Sequence, residues 1–172
     1  MNNYQLQKLL IDRSYCTKLT LNLIQEYKKP VVTFSLNIPG LYKSNEEYTF
    51  FFHKYYELFL KFLVNHFNIV YKSSQKNNAG NYAWIIINET DALKIKKITC
   101  KFELIFQDIS SLLDIDVYDI SNIKIYRKNL KLPARKCYLC DNNSKLCARI
   151  QKHSIIKLEQ YIRNIIYNDF LK

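Results

Sequence analysis

The sequence predicts an α+β fold: a single domain spanning residues 1–172, with a mixed or antiparallel sheet packed by several helices. Three observations carry this. At 172 residues the chain is long enough for one compact domain and too short for two ordinary ones. Apolar residues make up 48% of it, which suits a packed core rather than disorder. Short apolar runs bounded by turn signals alternate with segments whose apolar residues recur at helical spacing.

Residues 4–11 and 14–28 read as helical, with Leu19, Leu23 and Ile24 on one stripe. Pro30 ends that run, since proline disfavours helix in the residue before it. Residues 31–38 form a buried strand closed by the Pro39-Gly40 turn signal. Ser44-Asn45-Glu46-Glu47 reads as a capping box, in which Ser44 and Glu47 satisfy backbone donors reciprocally. It opens a helix to about Asn65 whose many Phe and Tyr residues imply burial on most sides. Residues 67–71 and 82–88 read as strands, and the polar residues 73–81 between them as a mobile loop. Thr90 is the expected cap of a helix with Ile98, Phe102 and Ile105 on its inner face. Residues 112–120 form a strand, turned by Ser121-Asn122 into a second at 123–127. The final helix covers 154–170, with Ile155, Leu158, Ile162, Ile165 and Ile166 on one face.

The composition narrows the function classes. A formal net charge of +11 attracts polyanions, whether nucleic acid, nucleotide phosphates, an anionic membrane or an acidic protein. The two glycines, Gly40 and Gly80, are too few and too far apart for a Walker loop or a dinucleotide-binding fingerprint. Phosphate chemistry here would have to use side chains and metal ions. The odd number of cysteines, at 16, 100, 137, 140 and 147, argues against a secreted disulfide scaffold. Met1-Asn2-Asn3-Tyr4-Gln5 lacks the basic start and apolar run of a signal peptide. No apolar stretch approaches the roughly 20 residues that span a bilayer. A soluble, cytoplasmic protein with no membrane partner is expected.

Leu113-Asp114-Ile115-Asp116-Val117 is the first chemical signal. Side chains alternate across a strand, so Asp114 and Asp116 share one face while Leu113, Ile115 and Val117 point into the core. Two same-face carboxylates repel, and a divalent cation relieves that repulsion. Mg²⁺ takes a few carboxylates and completes its shell with waters and substrate phosphates. A nucleotidyltransferase-like D-x-D strand of this kind suits phosphoryl or nucleotidyl transfer. The plain alternative is a solvent-facing strand edge with two ordinary acids.

The second signal runs from Arg135 to His153. Cys137, Cys140, Cys147 and His153 have the residue types of a tetrahedral zinc site, with Cys100 as an alternative fourth ligand. Buried free thiols in a loop explain the same cysteines; a redox pair is disfavoured, because no thioredoxin-like strand-to-helix context surrounds Cys137. Arg127, Arg135, Lys136, Arg149 and His153 all fall within residues 127–153, and the planar guanidinium fork suits phosphate.

In order, Leu113-Asp114-Ile115-Asp116-Val117, Tyr126-Arg127, Leu132-Pro133-Ala134-Arg135-Lys136-Cys137-Tyr138-Leu139-Cys140, Cys147-Ala148-Arg149 and His153 resemble one family. It is the apo-citrate lyase phosphoribosyl-dephospho-coenzyme A transferases, also called citrate lyase holo-acyl-carrier-protein synthases. Upstream the likeness continues in Arg13, Pro30-Val31-Val32-Thr33-Phe34-Ser35, Pro39-Gly40 and Lys43, so it runs from about residue 9 to 169. The resemblance implies that 2′-(5″-triphosphoribosyl)-3′-dephospho-coenzyme A is the donor and a serine of the citrate lyase acyl-carrier subunit the acceptor. A phosphodiester forms and pyrophosphate leaves. In that reading Asp114 and Asp116 hold Mg²⁺, and Arg127, Arg135 and Arg149 contact phosphates, with Lys43 and Arg13 assisting. His153 is a phosphate donor, a general base toward the serine, or a zinc ligand.

Two departures stand out. The family's Gly-Arg pair before the D-x-D motif is Ser110-Ser111 here, and its R-E-x-R pattern is replaced after Arg13 by Ser14-Tyr15-Cys16. Two other readings follow: an inactive relative that binds the carrier protein, or a small zinc-bearing basic protein that binds nucleic acid. The scattering of the basic residues along the chain disfavours the nucleic-acid reading.

Overall fold

A four-stranded antiparallel sheet organises the chain, in the order β2-β3-β1-β4. The computed structural model describes residues 3–171, so the readings at Met1, Asn2 and Lys172 lie outside the described residues. The order of elements is α1 (Asn3–Tyr27), β1 (Val31–Leu36), α2 (Glu46–Val64), β2 (Ile69–Asn77), β3 (Gly80–Ile87), α3 (Ala92–Ile105) and β4 (Leu113–Tyr118). A 3₁₀ turn (Arg127–Leu130), the short α4 (Ser144–Arg149) and α5 (Ile155–Phe170) follow. The α+β expectation holds, and the sheet is antiparallel throughout. No helix among the described residues is long and apolar enough to cross a membrane.

Strand alternation sorts the side chains into two cores. Val32 and Phe34 of β1, Ala83, Ile85 and Ile87 of β3, and Leu113, Ile115 and Val117 of β4 meet α2, α3 and α5 in the larger one. Phe59 and Phe102 pack there with ring centroids 4.9 Å apart. Val31, Trp84 and Ile86 take the opposite face with Cys16, Leu23 and Ile24 of α1. Trp84 is buried, and its indole N–H donates to Thr20 Oγ1 at 2.9 Å, which keeps that donor satisfied. Asp169 near the end of α5 is buried, where it accepts from Tyr55 at 2.6 Å and pairs with Lys54 at 2.8 Å. This clamps α5 onto α2.

Several expectations need correction. Residues 73–81 are not a loop: β2 extends to Asn77 and pairs with β3 from Ile69↔Ile87 to Asn77↔Gly80. Their polar composition belongs to an edge strand, whose alternate side chains turn to solvent while the backbone ladder is filled. The hairpin tip is tied down, with Asn78 donating twice to Asp12 Oδ2 of α1 at 2.7 Å. Ser44 does not cap α2; Asn45 does, accepting from Tyr48 N at 2.7 Å. Asp91 rather than Thr90 caps α3, accepting from Leu93 N and Lys94 N. The inner face of α3 also turns differently. Phe102 is buried as expected and Ile98 packs half-buried against the core, but Ile105 is exposed, and Ala92, Ile95 and Thr99 complete the buried face. Residues 123–127 form no strand, only an isolated bridge from Lys124 to Tyr118 before the 3₁₀ turn. The expected break between residues 11 and 14 is absent, because α1 is continuous. Ile155, placed on the inner face of α5, is exposed, whereas Ile162 and Ile166 are buried.

Candidate active site

β4 is an edge strand, and α1 packs over β1 and β3 beyond it. Leu113, Ile115 and Val117 are fully buried on the far side, so Asp114 and Asp116 both project toward the α1 side, opposite Ser35 and Thr33 of β1. The strip of sheet that carries them is the floor of a cleft of about 1340 Å³. The segment after β4 and the start of α5 form its walls, through residues such as Tyr126, Tyr138, Ser144 and Ile155. A smaller cavity of about 360 Å³ adjoins it and shares Asn37, Ile38, Lys43 and Asp114. Arg13 of α1 lines this second space.

The cleft is strongly cationic. Lys43, Lys96, Lys124, Arg127, Lys128, Arg135 and Lys145 line it against the two carboxylates Asp114 and Asp116. Asp116 pairs with Lys124. Burial, and then the neighbouring Asp114 charge, push Asp116 above the usual carboxylate range in spite of that lysine. Asp114 accepts from Arg135 at 3.1 Å and is the more open of the two. Burial works against the charge of Arg135, but Glu103 and Asp114 outweigh it and raise its pKa.

Glu103 is the most consequential of the residues that sequence reasoning missed. It is almost fully buried on α3, and its two oxygens hold Arg127 and, at 2.6 Å, Arg135. Arg127 also donates from Nε to Pro133 O at 2.9 Å. A guanidinium carries five N–H donors, and these contacts engage only some of them on each arginine. Lys96, also on α3 and buried, donates to Ile115 O at 2.7 Å, on the backbone between Asp114 and Asp116. Burial lowers its pKa, against the opposing pull of Glu103. Residues 96, 99 and 103 share one face of α3 by helical spacing, but two charged residues there gave no sign that this face is buried. The stripe set on Ile98, Phe102 and Ile105 left both of them off it.

Lys43 sits on the 38–44 loop, which the chain's two glycines shape. Gly40 has φ +73° and a Cβ there would lie 2.8 Å from Glu159 Oε1, while Gly80 has φ +108° and a Cβ would lie 3.1 Å from Lys43 O. The loop is thereby pressed against α5 and the β2–β3 hairpin at once. Lys43 donates to Ile38 O.

Four other ligand-type groups converge on the wall of the same cleft. One ligand atom each from Cys137, Cys140, Cys147 and His153 falls within 4.8 Å of every other. Cys140 Sγ lies 3.5 Å from Cys147 Sγ and 3.3 Å from His153 Nε2. The contact with His153 and the Asn142 backbone N–H draw the Cys140 thiol down to about 6, whereas burial pushes Cys147 up to about 11. Cys100, the alternative fourth ligand, is buried on α3 and is not in this group. Arg149 is exposed at the end of α4 and lines neither cavity. Ser110 and Ser111 also lie outside both linings. Ser111 O instead accepts from Tyr138 Oη at 2.9 Å.

With this geometry in view, comparison with known proteins is decisive. Residues 4–169 match the model of the family described as apo-citrate lyase phosphoribosyl-dephospho-CoA transferase. The chain belongs to this family. A protein of Streptococcus pyogenes serotype M18 named "Probable apo-citrate lyase phosphoribosyl-dephospho-CoA transferase" is 27% identical over 187 residues, covering 98% of this chain and 88% of that protein. A protein of the same name from Vibrio cholerae serotype O1 (strain O395) is 26% identical over 175 residues, covering 95% and 92%. The matches run through both the D-x-D strand and the cysteine segment, so the chain is a member of a transferase family over nearly its whole length.

Proposed function

We propose that this chain attaches the 2′-(5″-phosphoribosyl)-3′-dephospho-coenzyme A group to a serine of the citrate lyase acyl-carrier subunit, taking it from the 5″-triphosphate donor. The serine hydroxyl oxygen attacks the α-phosphorus of that triphosphate and gives up its proton to solvent, the bond between that phosphorus and the oxygen bridging to the β-phosphate breaks, and pyrophosphate leaves. Family membership supports the reading. The observation that carries it is the same-face pair Asp114 and Asp116 on the floor of a cleft otherwise lined by cations. Its volume of about 1340 Å³ suits a large, highly charged donor.

Asp114 and Asp116 fit Mg²⁺ as a pair of hard oxygen ligands; burial first and the Asp114 charge second raise Asp116, and a bound cation would offset both. When bound, the ion would neutralise charge on the triphosphate and on the departing pyrophosphate. Arg127 and Arg135 use their remaining donors on phosphate oxygens, while Glu103 holds both forks in place. Lys43 and Arg13 receive the phosphates that extend toward the smaller cavity. The net charge of +11 favours approach by an acidic carrier protein in the cytoplasm.

The test combines the purified chain, the apo-carrier subunit, the donor and Mg²⁺. The expected result is a mass increase on the carrier equal to the phosphoribosyl-dephospho-coenzyme A group, with one pyrophosphate released per carrier. Carrier binding with no mass increase would replace the transferase reading with that of a non-catalytic carrier-binding protein.

Lys43 adds a pH signature. Burial, with the like charge of Arg13, draws its ammonium down to about 8. The charge is complete below that pH and lost above it, so KM for the donor should rise as the pH passes upward through about 8. Lys43→Gln should show the higher KM at every pH and no step there. The same step persisting in Lys43→Gln would remove Lys43 from donor binding.

A further inference from the structure

We infer that Cys137, Cys140, Cys147 and His153 bind one structural zinc ion that holds the wall of the cleft in place. The chemistry of the donor set comes first. Three thiols and an imidazole are a soft and borderline set of the Cys₃His type, and their ligand atoms already converge within 4.8 Å of one another. A tetrahedral centre with Zn–S bonds of about 2.3 Å requires sulfur atoms about 3.8 Å apart. Cys140 and Cys147 stand at 3.5 Å, so small side-chain movements complete the site.

The backbone around the cluster is arranged to present these ligands. Cys137 N donates to Asn142 O at 2.8 Å, which closes a tight turn around Cys140. Asn143 then caps α4 and orients Cys147, whose N–H donates to Asn143 O at 3.0 Å. His153 arrives from the turn before α5 and brings Nε2 to Cys140 Sγ at 3.3 Å.

Packing supplies an independent argument. Across residues 119–161 the one buried residue is Cys147. A stretch of that length with so little buried apolar surface gains too little from the hydrophobic effect to fix its path, the situation in which small folds use a metal staple. Yet it carries groups that must be fixed. Arg135 reaches Asp114 and Glu103, and the single Tyr138 O–H is shared between Asn37 O at 2.5 Å and Ser111 O at 2.9 Å. Zinc at the cluster fixes the chain two residues beyond Arg135 and so sets the arginine against the D-x-D strand. His153, engaged as the fourth ligand, is then a positioning residue and not the base that acts on the carrier serine.

The test uses the full chain, purified under reducing conditions without a metal-affinity step. Elemental analysis should find about one zinc per chain. The protein produced with Co²⁺ instead should show the intense visible absorption of a tetrahedral centre together with thiolate-to-cobalt charge transfer. Cys140→Ser and Cys147→Ser should lose the metal, while Cys100→Ser and Cys16→Ser keep it. Chelation should open residues 131–153 to proteolysis and leave α1 to α3 protected. Wild-type protein that is folded, metal-free and fully alkylatable at its thiols would overturn the inference. So would a disulfide among these cysteines, or loss of metal in Cys100→Ser. Should the serine variants not fold, metal content and the cobalt spectrum of the wild type decide the matter. Failure of the zinc inference leaves the transferase proposal standing, because mass transfer to the carrier is read separately.

Discussion

Asp114→Asn and Asp116→Asn are each expected to lower transfer to the carrier on the order of a thousand-fold or more, while the protein stays folded. The amide keeps the size and shape of the carboxylate but gives up the charge that would hold a divalent cation against phosphate. Stability should respond weakly, for a reason specific to this pair. Asp116 has its folded pKa raised above the unfolded value, by burial first and by Asp114 second. The folded state therefore binds its proton more readily than the unfolded chain, and the ionised form at neutral pH costs stability. Asn removes that cost and in exchange leaves Lys124 without its partner. The two effects oppose each other, so a shift in Tm within about 3 °C is expected for Asp116→Asn. A variant that melts normally and still transfers at the wild-type rate would remove the carboxylate from the chemistry.

Glu103→Ala is expected to have the largest effect on stability of any single charge removal. Glu103 is 3% exposed, and the two guanidiniums it holds are 24% and 23% exposed. Deleting the shared carboxylate leaves Arg127 and Arg135 poorly solvated and mutually repelling. Breaking a buried charge pair in this way costs about 3 kcal/mol, which lowers Tm by roughly 10 °C in a chain of this size. Chemical denaturation of Glu103→Ala and Glu103→Gln measures it directly. Transfer should fall as well, through a higher KM for the donor, because Arg135 loses one of its two carboxylate anchors. A fully stable Glu103→Ala protein would mean that the arginines hold their positions without it, and the account of the cationic wall would fail.

The contrast between these two predictions follows what was legible in the sequence. The D-x-D pair could be read because it is local: alternation along one strand puts both carboxylates on one face whatever surrounds the strand. Glu103 could not be read in the same way. It lies 24 residues before Arg127 and 32 before Arg135, and the packing of α3 against β4 and the 3₁₀ turn brings the three together. The stripe on α3 was right at Phe102 and partly at Ile98 but failed at Ile105, which is as apolar as the buried Ile95, so apolarity alone did not set the phase of the helix. Residues 73–81 were misjudged for a related reason. Polar composition describes side chains, whereas an edge strand is held by its backbone ladder and by the contact of Asn78 with Asp12.

By itself the sequence determined the α+β class and the placement of Asp114 and Asp116 on one face of a strand, and it offered Cys137, Cys140, Cys147 and His153 as one candidate ligand set, with Cys100 as the alternative. All of these depend on residues close together in the chain, where backbone geometry leaves few choices. Tertiary structure alone decided that Glu103 holds Arg127 and Arg135, that Lys96 reaches the backbone between the two aspartates, and that Arg13 and Lys43 line a cavity sharing Asp114. Those facts depend on how separate elements are oriented against one another. That orientation is set by the summed packing of two cores, a sum that no local stretch of sequence contains.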